Sequence, residues 1–239
     1  MEHAMNQPFP VACATPPELR SLGRDLPNFA TAMRASGPVS IVAIGSSSTE
    51  GDGASNKEAS YPSRLSAELA ARFPDRTFDI YNAGVRGQEA PDEAARFKND
   101  VLAKRPSLVI WQVGTNAAWK DYFLDDVQAA IFRGLGYLGG SRADVILMDL
   151  QYAPALLDDE RPKPATAQML ELIASAASRS NVGLFRRFAI MKHWYFDAHV
   201  PFEQMISNFD GHWLHQNDWS YDCIARALCD AIIESAALE

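Results

Sequence analysis

Residues 39–51 read VSIVAIGSSSTEG, a short apolar run that ends abruptly in a glycine and a group of hydroxyl side chains. A continuous apolar run of this length is typical of a strand that is covered on both faces of its sheet. A small residue followed by hydroxyls lets a side chain project at the strand end, where backbone N–H groups also point. The stretch therefore predicts a buried strand over Val39–Ile44 and, directly after it, a polar loop that carries candidate nucleophiles.

The rest of the chain repeats this alternation of short apolar runs with amphipathic segments. Further strands are predicted at Phe78–Tyr81, Leu108–Val113, Asp144–Met148 and Val182–Phe185. Helices are predicted at Pro62–Arg72, Pro91–Ala103, Asp125–Leu138, Ala165–Ser178 and Asp218–Ser235, the last with Asn217 as its N-cap. Alternation of this kind predicts right-handed βαβ units, and hence a three-layer α/β/α sandwich with a mainly parallel five-stranded sheet.

Length and composition fit one soluble domain. The 239 residues are 47% hydrophobic and 22% charged, and we expect an N-terminal extension over 1–36 and one domain over 37–239. A formal charge of −8 argues against a nucleic-acid partner, because phosphate binding needs a positive surface. No stretch approaches the roughly 20 apolar residues that span a bilayer, so no membrane span is expected.

The N-terminus and the cysteines leave the compartment open. Residues 1–10 lack a basic start followed by an apolar run, so they do not read as a signal peptide. The protein is expected to be cytoplasmic, or periplasmic or secreted if a signal peptide has been removed. Cys223 and Cys229 lie about 9 Å apart along a predicted helix, too far to bridge each other. Cys13 can pair with either of them, or all three can be buried free thiols.

Ligands of a parallel sheet bind beyond the carboxyl ends of its strands, which directs attention to three loops. The first holds the hydroxyls of Ser46, Ser47 and Ser48. In the second, Gly87 can bring a bare backbone N–H close to a reacting oxygen, or it can serve only the turn. In the third, Asn116 can offer its side-chain NH₂ to the same oxygen, or it can cap a helix.

Histidine is scarce, and two of the five histidines stand together before the last predicted helix. They are His212 and His215, in the stretch DGHWLHQND over residues 210–218. An imidazole can accept the proton of a serine hydroxyl, and a nearby carboxylate such as Asp210 can hold its tautomer. The sequence therefore combines a candidate nucleophile, a candidate base and candidate donors for an oxyanion.

Taken in chain order, these pieces resemble the four sequence blocks of the SGNH hydrolases, also called the GDSL esterase/lipase family. The resemblance runs from Val39 to Leu228. The family's Gly-Asp-Ser block is matched by Gly45-Ser46-Ser47, its second-block glycine by Gly87, its Gly-x-Asn by Gly114-Thr115-Asn116, and its last His-x-Asn by His215-Gln216-Asn217. The resemblance implies a flavodoxin-like fold, Ser47 as nucleophile and His215 as general base. It also implies an oxyanion hole formed by the Ser47 and Gly87 N–H groups and the Asn116 amide.

The chain departs from the family pattern at two places. Ser46 replaces the usual aspartate before the nucleophile, a residue that takes no part in the proton relay. Asp210 stands five residues before His215 instead of three, and the usual carboxylate position is occupied by His212. We predict that a bulge at Gly211 brings an Asp210 carboxylate oxygen within about 3.2 Å of His215 Nδ1. The alternatives are that Asp210 only caps a turn, or that His212 is the base.

Aromatic residues are dense near the candidate base. Those in the possible substrate pocket are His212, Trp213 and Trp194. They either pack in the core or form a pocket wall, as an acyl slot or a platform for a sugar ring.

The resemblance implies a carboxylic ester hydrolase that forms an acyl-enzyme on Ser47. We expect a small-molecule or saccharide ester, short-chain or acetylated, as its substrate, and no metal or organic cofactor. An acyltransferase or thioesterase on the same scaffold, or a non-catalytic carbohydrate-binding descendant, are the alternatives. The sequence leaves the oligomeric state undetermined.

Overall fold

The central sheet has five parallel strands in the order β2-β1-β3-β4-β7. The computed structural model describes residues 13–120 and 122–238. The strands are β1 (Val39–Gly45), β2 (Phe78–Gly84), β3 (Leu108–Gln112), β4 (Asp144–Met148) and β7 (Gly183–Phe185), while β5 (Leu157–Asp158) and β6 (Arg161–Pro162) form a separate small hairpin. The five predicted strands are confirmed, with their ends shifted by at most three residues. The order of strands is that of the flavodoxin-like folds.

Helices cover both faces of the sheet, which confirms the predicted three-layer arrangement. They are α1 (Pro17–Arg20), α2 (Pro27–Arg34), α3 (Ser47–Glu50), α4 (Tyr61–Arg72), α5 (Ala90–Ala95), α6 (Thr115–Trp119), α7 (Leu124–Gly139), α8 (Pro164–Ser180), α9 (Arg187–Phe196), α10 (Phe202–Met205) and α11 (Asp218–Ser235). Helices α4 and α11 pack against each other, while α7 packs against α5 and α8. As predicted, Asn217 caps α11 through a hydrogen bond from the Ser220 N–H to its side chain.

The predicted helix over Pro91–Ala103 is wrong in its second half. Helix α5 ends at Ala95, and the chain continues as a wider π-type turn over Phe97–Val101. The side chains of Phe97 and Val101 both lie in the core, where the Phe97 ring packs edge-on against Trp111.

The segment before β1 packs onto the sheet through α2. Leu26 and Phe29 are buried in the core, and the Asp144 carboxylate accepts the Phe29 N–H at 2.8 Å. Cys13 forms a disulfide with Cys223 of α11, with the two Cα atoms 5.5 Å apart, and Cys229 is a buried free thiol. Of the pairings that the sequence left open, the structure thus has Cys13–Cys223. The division into residues 1–36 and 37–239 stays a prediction.

Within residues 13–120 and 122–238, no helix combines the length and the apolar composition that crossing a membrane requires.

Candidate active site

The carboxyl end of β1 leads without a break into the short helix α3. Ser46 is the extended N-cap residue, and its carbonyl accepts the N–H groups of Thr49 and Glu50 at 3.0 Å. Ser47 is the first helical residue, so its N–H belongs to the group that has no acceptor inside the helix. Its side chain is nearly buried at the strand edge. This turn therefore presents a hydroxyl and a free backbone N–H at one point.

The structure brings His215 to this hydroxyl across 168 residues of chain. His215 Nε2 lies 2.9 Å from Ser47 Oγ, and the His215 side chain is only 7% exposed. The backbone is held by a hydrogen bond from the Ser207 N–H to the His215 carbonyl oxygen at 2.8 Å. The other candidate, His212, is exposed and packs against Trp119 with a ring-centroid separation of 5.1 Å. Of the two histidines, His215 therefore has the geometry of a general base for Ser47.

The loop before His215 bulges at Gly211. Gly211 has φ +75° and Trp213 has φ +52°, so the backbone turns through the left-handed region twice within three residues. Asp210 Oδ1 accepts the His212 N–H at 3.0 Å, and Asp210 Oδ2 lies 3.4 Å from His215 Nδ1. The carboxylate thus caps the turn and also faces the imidazole. The 3.4 Å separation exceeds the predicted limit of 3.2 Å, and His215 Nδ1 has no hydrogen-bond partner within the described part of the chain, so the predicted hydrogen bond between Asp210 and His215 is not formed.

A second carboxylate, Asp52, lies on the other side of the imidazole. Asp52 Oδ2 is 3.8 Å from His215 Nε2, and Asp52 Oδ1 accepts a 2.5 Å hydrogen bond from Arg86 Nη2. The next residue, Gly53, has φ +87°, and a Cβ there would collide with the Gln216 carbonyl oxygen. The loop after α3 therefore lies directly against the backbone of Gln216, the residue that follows the base.

Burial lowers the pKa of His215 below its ordinary value. The negative charges of Asp52 and Asp210 oppose the effect, and the positive charge of Arg86 adds to it. A lowered pKa keeps the imidazole neutral, which is the form that can accept a proton from Ser47.

Besides the Ser47 N–H, the sequence predicts two oxyanion donors, which follow strands β2 and β3. Gly87 is exposed with φ +79°, and no atom would meet a Cβ at that position within 4 Å. Asn116 is buried in the first turn of α6, and its Nδ2 donates one hydrogen bond to the Gln88 carbonyl oxygen at 2.8 Å. An amide nitrogen carries two hydrogens, so the second is left for another acceptor.

A buried carboxylate, Glu89, ties these two loops together. Its Oε1 accepts the N–H groups of Gly114 and Ala90, each at 2.9 Å, and its Oε2 accepts the Ala117 N–H at 2.8 Å. Burial raises the pKa of Glu89, and these N–H donors oppose that rise by favouring the ionised form. Glu89 therefore fixes the backbone on both sides of Asn116.

The three residues predicted for the substrate pocket, Trp194, Trp213 and His212, differ in their exposure. Trp194 does not line a pocket: it is fully buried, and its Nε1 donates to the Ala14 carbonyl oxygen at 3.2 Å. The prediction for Trp194 is wrong because the N-terminal segment covers that face of α9. Trp213 is half-buried, and the exposed His212 lies on Trp119. Phe209 is 55% exposed, with its ring centroid 5.8 Å from that of His215.

Sequence reasoning missed Asp52, Arg86 and Glu89 as parts of the site. Asp52 is five residues beyond Ser47, and Glu89 is two beyond Gly87, so proximity to the blocks was the available signal. Charged residues in loops are usually solvated, and this expectation conceals the burial of Asp52 and Glu89.

Comparison with known proteins gives one family and a consistent fold. The profile of the non-GDSL lipase-like family matches residues 12–238. An acetylxylan esterase of Geobacillus stearothermophilus is 30% identical over 86 residues, which are 36% of this chain and 39% of that protein. The chain thus spans well under two thirds of that curated relative.

Solved esterase structures share the fold. A two-domain esterase active on acetylated mannans aligns with a TM-score of 0.75 and 17% identity, covering 92% of this chain and 56% of that one. A catalytic mutant of the acetylxylan esterase Axe2 from Geobacillus stearothermophilus aligns with a TM-score of 0.68 and 19% identity, covering 84% and 95%.

Proposed function

We propose that this chain, which belongs to the non-GDSL lipase-like family, is a serine hydrolase that removes acetyl or other short acyl groups from carbohydrate esters. The observation that carries the proposal is the 2.9 Å separation between Ser47 Oγ and the buried His215 Nε2. A hydroxyl beside an imidazole, at a helix N-terminus and near an amide donor, meets the needs of acyl transfer through a covalent intermediate.

We also propose that the chain is related to the SGNH hydrolases. Their four blocks have counterparts at Ser47, Gly87, Asn116 and His215. The serine at position 46, where a GDSL protein has aspartate, agrees with the description of the matched family as non-GDSL.

In the proposed mechanism Ser47 Oγ attacks the carbonyl carbon of the ester while His215 Nε2 accepts its proton. The negative charge on the carbonyl oxygen is stabilised by the N–H groups of Ser47 and Gly87 and by the Asn116 amide. The sugar alcohol leaves with the proton from His215. Water then attacks the acyl-enzyme, with His215 again as base, and the carboxylic acid is released. Asp210 stabilises the imidazolium that forms in both steps.

The surroundings of the site favour a saccharide as the alcohol part. Phe209 lies exposed beside the base, and His212 of the same loop packs against Trp119 at the end of α6. Aromatic faces pack against the apolar faces of sugar rings while leaving sugar hydroxyls in water. The relatives named above include proteins described as acting on acetylated xylan and acetylated mannan, which supports the same substrate class.

The test uses two serines of one helix turn. Acetate release is measured from acetylated xylo- and manno-oligosaccharides and from p-nitrophenyl esters of two to eight carbons. We expect turnover of the acetyl esters, and its loss by about 10⁴-fold or more in Ser47→Ala. Ser48→Ala is the matched control, because Ser48 Oγ is buried and has no hydrogen-bond partner within the described part of the chain. Full activity of Ser47→Ala, or no hydrolysis of any acyl ester by the wild type, would overturn the proposal.

A further inference from the structure

Helix α9 begins with an arginine whose side chain never reaches solvent. Arg187 is fully buried, and its guanidinium donates to three acceptors: the Asp149 carbonyl oxygen at 3.1 Å, Gln216 Oε1 at 3.2 Å and Gln151 Oε1 at 2.8 Å. Burying an ion costs several kcal/mol, and arginine is rarely found fully buried. The proposed acyl transfer does not use this charge directly, so its position requires another explanation.

The side-chain acceptors of Arg187 involve the residues on either side of His215 in the chain. Gln216 is the next residue after the base, and Gln151 Nε2 donates to the carbonyl oxygen of Leu214, the residue before it, at 3.1 Å. One planar guanidinium thus binds the side chain of the residue after the base and, through Gln151, the backbone of the residue before it. Its fork of donors is rigid, which suits this purpose better than a lysine ammonium.

The same hydrogen bonds continue to the other two catalytic loops. Thr115 Oγ1 donates to Gln151 Oε1 at 3.1 Å and accepts from Gln112 Nε2 at 3.3 Å. Gln112 Oε1 accepts the Ser46 N–H and the Thr49 hydroxyl, each at 3.2 Å, in the turn that holds Ser47. Thr115 directly precedes Asn116 in the chain.

We infer that the buried chain Gln112–Thr115–Gln151–Arg187–Gln216 is a positioning device that sets His215 relative to Ser47 and Asn116. The inference rests on the proposed function of that site. Its residues touch no substrate. They act by fixing the distance and direction between nucleophile, base and oxyanion donor, where a displacement of 1 Å can reduce the rate about 10²-fold.

The experiment compares two buried threonines. Thr115→Val removes the hydroxyl in the middle of the chain, and Thr166→Val removes an equally buried hydroxyl, one that donates to the Leu156 carbonyl oxygen at 3.0 Å away from the site. Both variants are assayed on p-nitrophenyl acetate well below their melting temperatures. We expect Thr115→Val to lower kcat about 10- to 100-fold with little change in KM. Thr166→Val should keep kcat within about twofold while lowering the melting temperature to a similar extent.

Two further variants test the other end of the chain. Gln216→Met should reproduce the loss of kcat seen in Thr115→Val, and Arg187→Lys should retain more kcat than Arg187→Met because an ammonium can still donate to some of the acceptors of Arg187. If both Arg187 variants fail to fold, Thr115→Val and Gln216→Met decide. The rate at which an organophosphonate labels Ser47 measures the reactivity of the Ser47–His215 pair, and this assay needs no ester substrate.

The outcomes separate this inference from the proposed function. The positioning role alone is overturned if the wild type is active and Thr115→Val and Gln216→Met have the same kcat and labelling rate as Thr166→Val. A wild type that hydrolyses no acyl ester and is not labelled overturns the proposed function, and the inference falls with it.

Discussion

The candidate base differs from a simple triad in having two carboxylates within 4 Å of its ring. Asp210 faces Nδ1 at 3.4 Å, and Asp52 lies 3.8 Å from Nε2. Of the two, Asp210 lies on the Nδ1 side, and its negative charge favours the Nδ1–H tautomer, which leaves Nε2 free to accept the proton of Ser47. Asp52 adds negative charge near the imidazolium and is partly offset by Arg86.

Exchange of Asp210 for asparagine should reduce kcat far more than removal of the His212 ring. An asparagine has no charge and can impose the wrong tautomer on His215, a change that lowers kcat about 10⁴-fold in other triads. Because the Asp210–His215 contact is long, we expect a loss smaller than this. Steady-state kinetics of Asp210→Asn and His212→Ala provide the comparison. A larger loss in His212→Ala would mean that the base has been assigned to the wrong histidine.

The pH profile of kcat/KM should report the environment of His215. Activity requires the neutral imidazole, so kcat/KM should rise with pH, with a midpoint below the ordinary histidine value of about 6.5, because burial lowers the pKa. Removing a negative neighbour in Asp52→Asn should move the midpoint lower, and removing a positive one in Arg86→Gln should move it higher. If both midpoints shift in the same direction, or if neither shifts, the charges of Asp52 and Arg86 do not set the pKa of His215.

At the scale of elements, the site depends on the ends of strands and the starts of short helices. Helix α5 begins just after Glu89 and α6 begins at Thr115, and the Glu89 carboxylate accepts N–H groups from both. The position of Asn116 is therefore set by a contact between two elements rather than by its own loop.

Replacing Glu89 by glutamine should lower kcat with little effect on KM. A glutamine keeps one acceptor oxygen, so the N–H of either Gly114 or Ala117 would face an NH₂ group and the α6 start would shift. We expect a loss below the roughly 10²–10³-fold that follows removal of an oxyanion donor itself.

Glu93→Gln is the control on the same helix. Burial and the neighbouring Glu89 charge raise the pKa of Glu93 well above its ordinary range, so glutamine mimics its neutral form. Its contact is with the indole N–H of Trp111, away from the site, and kcat should be unchanged. Equal losses in both variants would indicate a general effect of disturbing α5.

At the scale of the whole molecule, one covalent link joins the chain's two ends. The disulfide between Cys13 and Cys223 spans 210 residues, and it ties the segment before α1 to α11, the helix that follows the base loop. Closing so long a loop restricts the unfolded chain, which is the main source of disulfide stabilisation in the chain-entropy account.

Cys13→Ser should lower the free energy of unfolding by about 2–4 kcal/mol, measured by denaturant titration. Activity at low temperature should persist, because the bond lies outside the candidate site. Thiol titration of the denatured, unreduced protein should find one reactive group, Cys229. A count of three thiols would contradict the disulfide.

The sequence by itself determined the parts that depend on local pattern. Apolar runs located all five strands of the sheet to within three residues, because a strand buried on both faces needs apolar residues without interruption. The strand ends then indicated Ser47 and Asn116 as candidates, since polar residues directly after such runs lie at one edge of a parallel sheet. The segment containing His215 was indicated by its two histidines directly before the last helix.

Only the tertiary structure decided which distant residues meet. It selected His215 over His212 as the neighbour of Ser47, paired Cys13 with Cys223, and buried Trp194 beneath the N-terminal segment. It also assembled Asp52, Glu89 and Arg187 around the site. Local periodicity indicates whether a side chain faces inward, but not which side chain it will contact there. For a charged group inside the protein, the hydrogen-bond or ion-pair partner decides whether burial is tolerated.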